Sequence, residues 1–196
     1  MKILLFLCKG FEHMETAPFI DVFGWARSYV NFDADIVTCG FNKTVMGTFN
    51  VGLNIDILVD DVNMLSYDAL AIPGGFGEYG FYEEAYDDRL LNLIREFANN
   101  NKPIATVCVG AKPLGKAGIL KGKNATTYHL DNKKHQKQLA AFSGVTVIPD
   151  ERIVVDGNII TSFCPETASD VAFKLLEILA GTRISLETKK LMGFGN

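Results

Sequence analysis

The sequence predicts an α/β protein with a mainly parallel sheet and helices on both of its faces. Apolar runs of strand length alternate with segments of helical periodicity along the whole chain. At 196 residues and 48% hydrophobic, the chain can bury one full core. Breakers such as Asn99-Asn100-Asn101-Lys102-Pro103 punctuate the alternation.

The opening run Lys2–Cys8 reads as a buried strand. It is short for a secretion signal, and Lys9, Glu12 and Glu15 follow with no small-residue cleavage site. Nowhere does an apolar segment approach the ~20 residues of a membrane span. Glu15–Tyr29 has helical spacing, with Pro18 expected in the first turn, where a missing N–H costs nothing. Ala34–Gly40 is a second strand. Thr44–Ile57 alternates around Gly47 and Gly52 and predicts a small antiparallel excursion. Asp68–Gly75 is a buried strand ending in a turn. In Asp88–Ala98, Leu90, Leu91, Ile94 and Phe97 recur at helix spacing. Ile104–Val107 is a strand and Val109–Ile119 a helix. Arg152–Ser162 predicts a hairpin centred on Asp156-Gly157-Asn158. The last clear helix is Pro165–Ala180, with proline at its first position and Gly181 just past its end. One domain is therefore expected over residues 1–181, with 182–196 a surface tail or short helix.

Nineteen basic against twenty-three acidic residues give a net charge of −4, which argues against nucleic acid or an anionic membrane as partner. Four cysteines without paired metal-type spacing suit a reduced, cytoplasmic protein, with no disulfide framework and no metal site.

Cys8, Cys39 and Cys108 each fall at the C-terminal end of a predicted strand, and Cys164 follows the hairpin. Ligands of open α/β sheets bind at those ends. Cys8 and Cys39 read as inert core thiols, because nothing beside them lowers a thiol pKa. Cys108 differs, since Val109-Gly110-Ala111 lets a helix begin at once. That strand-to-helix elbow presents a nucleophile, and the helix start favours a thiolate.

Lys9–Thr16, Ala71–Gly77, Thr106–Gly122 and Val154–Ala168 together resemble the ThiJ/PfpI superfamily, in the right order and over nearly the whole chain. The resemblance implies a flavodoxin-like three-layer sandwich of the class I glutamine amidotransferase type. It implies Cys108 as nucleophile and Glu15 beside it as a protonated donor to the sulfur. Gly75 with the amide of Val109 would cradle an oxyanion or an oxidised sulfur, while Gly74 lets substrate pass close to the backbone. Read as a phosphate loop, Pro73–Gly77 lacks the Lys-Ser/Thr ending. The peptidase branch has histidine after the nucleophile, where this chain has Val109. In the deglycase branch a histidine follows a Thr-Thr pair; here Tyr128 comes first and His129 second, so either could complete the site. His13 and His135 read as surface residues.

The aromatic stretch 76–88 either walls the site, packs on another subunit, or is an ordinary helix start. By resemblance the chain forms a homodimer, needs no cofactor, and uses Cys108 on small reactive carbonyl compounds or on side chains modified by them. The alternatives are redox sensing through Cys108 oxidation, and amide hydrolysis or isonitrile hydration. Cys164 falls where relatives often carry glycine, and is a candidate to resolve an oxidised Cys108 if the two lie close enough.

Overall fold

The computed structural model describes residues 1–195. In chain order its strands are β1 Lys2–Phe6, β2 Asp35–Gly40, β3 Thr44–Met46, β4 Gly52–Asn54, β5 Ile57–Leu58, β6 Ala69–Ile72, β7 Ile104–Thr106, β8 Asn124–Ala125, β9 Thr146–Val147, β10 Ile153–Asp156 and β11 Ile159–Ser162. The helices are α1 His13–Val30, α2 Phe81–Ala85, α3 Asp88–Asn99, α4 Ala111–Ala117, α5 Lys134–Ala140, α6 Ala168–Ala180 and α7 Thr182–Leu191. Seven strands form the central sheet in the order β10-β11-β7-β6-β1-β2-β5, and β10 alone runs antiparallel to its neighbour.

β1 and β6 are apolar and fully buried, as expected of central parallel strands covered on both faces. From β1 the chain crosses through α1 to β2 on one side. From β6 it crosses through α3 to β7 on the other. Right-handed crossovers in opposite directions put α1 and α3 on opposite faces. α6 packs beside α1, and α4 beside α3. The strand order therefore switches direction between β1 and β6, where open α/β sheets leave a crevice at the carboxyl ends of their strands.

Several expectations are met closely. The hairpin β10–β11 turns on two residues, with Gly157 at φ +61°. Thr44–Ile57 forms the expected excursion as β3 paired with β4. Others shift. α1 begins two residues earlier than its spacing predicts, because Glu12 caps it by accepting from Met14 N. Pro18 thus lies in the second turn and leaves the carbonyl of exposed Met14 without its i+4 donor. Residues 182–191 are a helix, α7, whose buried Ser185 Oγ donates to Phe173 O on α6 at 2.8 Å.

Candidate active site

Five pieces of the chain meet at the carboxyl ends of β1, β6, β7 and β11. Glu15 comes from the start of α1, Gly74 and Gly75 from the turn after β6, Cys108 from the turn after β7, and Cys164 from the end of β11. Tyr128 lies in the segment between β8 and α5. Glu15, Gly75, Cys108, Val109, Tyr128 and Cys164 line one cleft of about 570 Å³.

Cys108 sits at φ +54°, the left-handed region that costs a side-chain-bearing residue roughly 1–2 kcal/mol. The strain has a visible cause. β7 passes straight into a single turn, Cys108–Gly110, and then into α4, so one residue must reverse the chain. Gly110 packs so tightly on β6 that a Cβ there would lie 2.6 Å from Ile72 O. The carbonyl of Cys108 is pinned by Thr127 Oγ1, which donates to it at 2.7 Å. These contacts hold the thiol at the mouth of the elbow, 8% exposed and facing the cleft.

Glu15 is 1% exposed. Its Oε2 accepts from Gly74 N at 2.6 Å, and its carboxyl is a hydrogen-bond partner of the Cys108 thiol. Burial raises its pKa from the ordinary 4.5 to about 8, against the opposing pull of the Gly74 N–H. Glu15 is thus an uncharged acid at neutral pH. Burial also pushes the Cys108 thiol well up, and the nearby Glu15 charge adds to this; the Val109 N–H, which donates to the sulfur, acts the other way. Burial and the Val109 N–H thus pull the sulfur in opposite directions, with burial the larger influence. The two groups act on each other directly, so their titrations are coupled.

Gly74 plays a different part from the one its sequence motif suggests. Its N–H is spent on Glu15, its carbonyl accepts from Glu12 N at 2.9 Å, and a Cβ would meet Glu15 Oε2 at 2.8 Å. Gly75 does border the cleft, and a Cβ there would fall 2.3 Å from Gly10 O. Of the two candidate residues after the Thr-Thr pair, Tyr128 lines the cleft. His129 stacks on Phe163, ring centroids 4.0 Å apart, and its Nδ1 lies 3.6 Å from Cys164 Sγ.

The histidines taken as surface residues are not free. His13 Nδ1 lies 3.4 Å from Thr48 Oγ1, with its ring against Phe11. His135 lines the cleft, with Nε2 3.3 Å from Asp131 Oδ2 and Nδ1 within 3.4 Å of both Tyr82 Oη and Lys112 Nζ. Lys112 is 4% exposed, lies over the Tyr82 ring at 4.0 Å and donates to Gln138 Oε1 at 2.7 Å; burial lowers its pKa to about 8. Sequence reasoning missed this wall. Its one available signal was Lys112 itself, a lysine one helical turn beyond Cys108 in a run of small residues.

The aromatic stretch divides its roles. Phe76 and Tyr82 line the cleft, Phe81 is fully buried, and Phe76 and Tyr79 form an outer cluster with exposed Phe49. Cys8 and Cys39 are buried, and desolvation drives both thiol pKa values up, as inert core cysteines require. Among the described residues no group of three or more His, Cys, Asp or Glu could hold a metal ion, and no helix is long and apolar enough to cross a membrane.

Residues 1–178 match the DJ-1/PfpI family. Protein DJ-1 homolog B of Arabidopsis thaliana is 31% identical over 190 residues, covering 96% of this chain and 40% of the relative, so the chain spans less than half of that protein. Deglycase PfpI of Pyrococcus furiosus is 29% identical over 166 residues, covering 84% of this chain and 91% of the relative. The crystal structure of Drosophila melanogaster DJ-1beta superposes with a TM-score of 0.86 at 27% identity, covering 100% of this chain and 98% of that one.

Proposed function

The chain belongs to the DJ-1/PfpI family, and from that premise we propose that it is a cysteine-dependent enzyme acting on small reactive carbonyl compounds, glyoxalase- or deglycase-like. The observation that carries the reading is the buried, hydrogen-bonded pair of Glu15 and Cys108 on a strained elbow lining a cleft. A relative of similar length carries the name deglycase. By the same reading the protein works without a cofactor, as a homodimer in the cytoplasm.

The chemistry follows from an acid and a thiol that share protons. As the Cys108 sulfur adds to the aldehyde carbon of a 1,2-dicarbonyl, its proton passes to Glu15, while the Glu15 acid proton goes to the carbonyl oxygen. The thiol has then been added across the C=O bond, and Glu15 is an acid once more. The N–H groups of Gly75 and Val109 stabilise the oxygen as charge develops on it. Glu15, with a pKa of about 8, releases that proton to solvent and so can serve as base in the next step. As carboxylate it takes the hydrogen from the former aldehyde carbon and returns it to the neighbouring carbon through the enediol, while the hydroxyl proton of the first carbon passes to the neighbouring oxygen. The product is a 2-hydroxyacyl thioester on Cys108, which water hydrolyses to a 2-hydroxy acid. No net oxidation occurs. The polar wall of Tyr82, His135 and Tyr128 faces the substrate from across the cleft.

Reduced protein incubated with methylglyoxal should form lactate. Cys108→Ala and Glu15→Ala variants that keep the fold should lose at least a hundredfold in kcat/KM. Folded wild-type protein without turnover on any small 1,2-dicarbonyl would refute the reading.

A further inference from the structure

Besides the Glu15–Cys108 pair, the cleft holds a second thiol with an imidazole of its own. β11 and β7 are parallel neighbours in register Ile159↔Ile104 and Ile160↔Ala105. Cys108 and Cys164 each stand two residues past the ends of these strands, which Ser162 Oγ ties together by donating to Thr106 O at 3.4 Å. A charge on Cys164 acts directly on the Cys108 thiol. Both cysteines line the same cleft.

The surroundings of Cys164 set it apart from an inert core cysteine. His129 Nδ1 lies 3.6 Å from its sulfur, and the backbone N–H of His129 also donates to it. Cys164 also immediately precedes the turn Pro165–Thr167 that leads into α6. Burial and the charges of Glu166 and Glu15 oppose ionisation. A neighbouring imidazole that can take the proton is what such a thiol needs in order to act. Cys8 and Cys39 have no histidine contact among the described residues.

We infer that Cys164, with His129 as its base, is a resolving thiol that captures Cys108 after oxidation, giving the protein a two-cysteine hydroperoxide-reducing activity. The Cys108 sulfur attacks a hydroperoxide: an S–O bond forms, the O–O bond breaks, and the alcohol departs with the thiol proton relayed through Glu15. Cys108 is then a sulfenic acid. The Cys164 sulfur next attacks the Cys108 sulfur: an S–S bond forms and the S–O bond breaks. Hydroxide leaves as water, carrying the Cys164 proton handed over by His129 Nδ1 in the tautomer with hydrogen on Nε2. The hydroperoxide has gained two electrons and the thiol pair has lost two. An external dithiol restores the pair by exchange. The arrangement also spares Cys108 from irreversible oxidation to the sulfinic acid.

The inference rests on Cys108 being the reactive thiol, and the experiment separates the two failures. Full-length reduced protein is treated with a few-fold molar excess of hydrogen peroxide, blocked with N-ethylmaleimide, and digested without reductant for mass spectrometry. The expected product is a Cys108–Cys164 linked peptide two hydrogens lighter than its parts. In Cys164→Ser, Cys108 should instead progress to a +32 Da sulfinic acid. In His129→Ala, linkage should slow at least tenfold while the dimedone-trappable sulfenic acid accumulates. Sulfinic Cys108 without linkage in wild type, matched by Cys164→Ser, would overturn the inference and leave the reactive Cys108 standing. Oxidation spread evenly over Cys8, Cys39, Cys108 and Cys164 would overturn both.

Discussion

Replacing Glu15 by glutamine gives the most quantitative test of the buried acid. Between pH 4.5 and about 8 the folded protein holds a proton on Glu15 that the unfolded chain has released. Unfolding in that window therefore frees a proton, and rising pH favours it. The sign follows: stability linked to the raised pKa is fully present below pH 4.5 and is lost as pH climbs through about 8. At about 1.4 kcal/mol per pH unit, the full window amounts to at most about 5 kcal/mol. For a chain of this length that corresponds to roughly 10–20 °C in Tm. Glu15→Gln keeps a neutral side chain of the same shape at every pH and lacks the dependence. Urea unfolding of both proteins under reductant, from pH 4.5 to 8.5, gives the difference directly. Wild type should lose several kcal/mol relative to Glu15→Gln across the window. A difference independent of pH would mean that Glu15 is ionised in the folded state, and would refute the acid–thiol pair.

The remaining predictions concern the surroundings of the pair. Lys112, held near pKa 8 by burial, should make wild type more stable as pH rises from about 8 towards 10.5, because there the unfolded chain binds a proton the folded one does not; Lys112→Met should lack that rise in urea titrations. Gly75→Ala should cost about 1–3 kcal/mol in urea unfolding and lower activity, since its Cβ would strike the Gly10 carbonyl at 2.3 Å. Arg152→Ala, which removes exposed ion pairs to Glu166 and Asp170, should change stability by no more than about 1 kcal/mol and leave carbonyl turnover unchanged.

Local chemistry decided what the sequence could disclose. Asp156-Gly157-Asn158 announces its hairpin because a two-residue turn demands positive φ, and the register then follows. Cys108 and Glu15 are 93 positions apart in the sequence, yet each lies beside a strand end, and the parallel topology brings such ends together. Residues 124–147 were harder. β8 and β9 are two residues each, too short for any periodicity to register, and α5 follows Lys133, an N-cap residue that adopts φ +59° without a capping side chain. His135 consequently read as a surface residue, because its packing against Tyr82, Asp131 and Lys112 joins three separate segments. The burial that opposes ionisation of Cys108 escaped for the same reason. Proximity to a helix start is visible in a sequence, whereas the burial that works against it belongs to the tertiary structure.

The central claim, that Glu15 and Cys108 titrate as one unit, is tested most directly by the pH dependence of Cys108 alkylation with iodoacetamide in wild type and in Glu15→Gln. Wild type should show a first rise and then a plateau, as the shared proton leaves and the thiolate–acid tautomer becomes populated. Glu15→Gln should lose that first rise and react only at higher pH, where the buried thiol ionises alone. An unchanged pH profile in the variant would contradict the account.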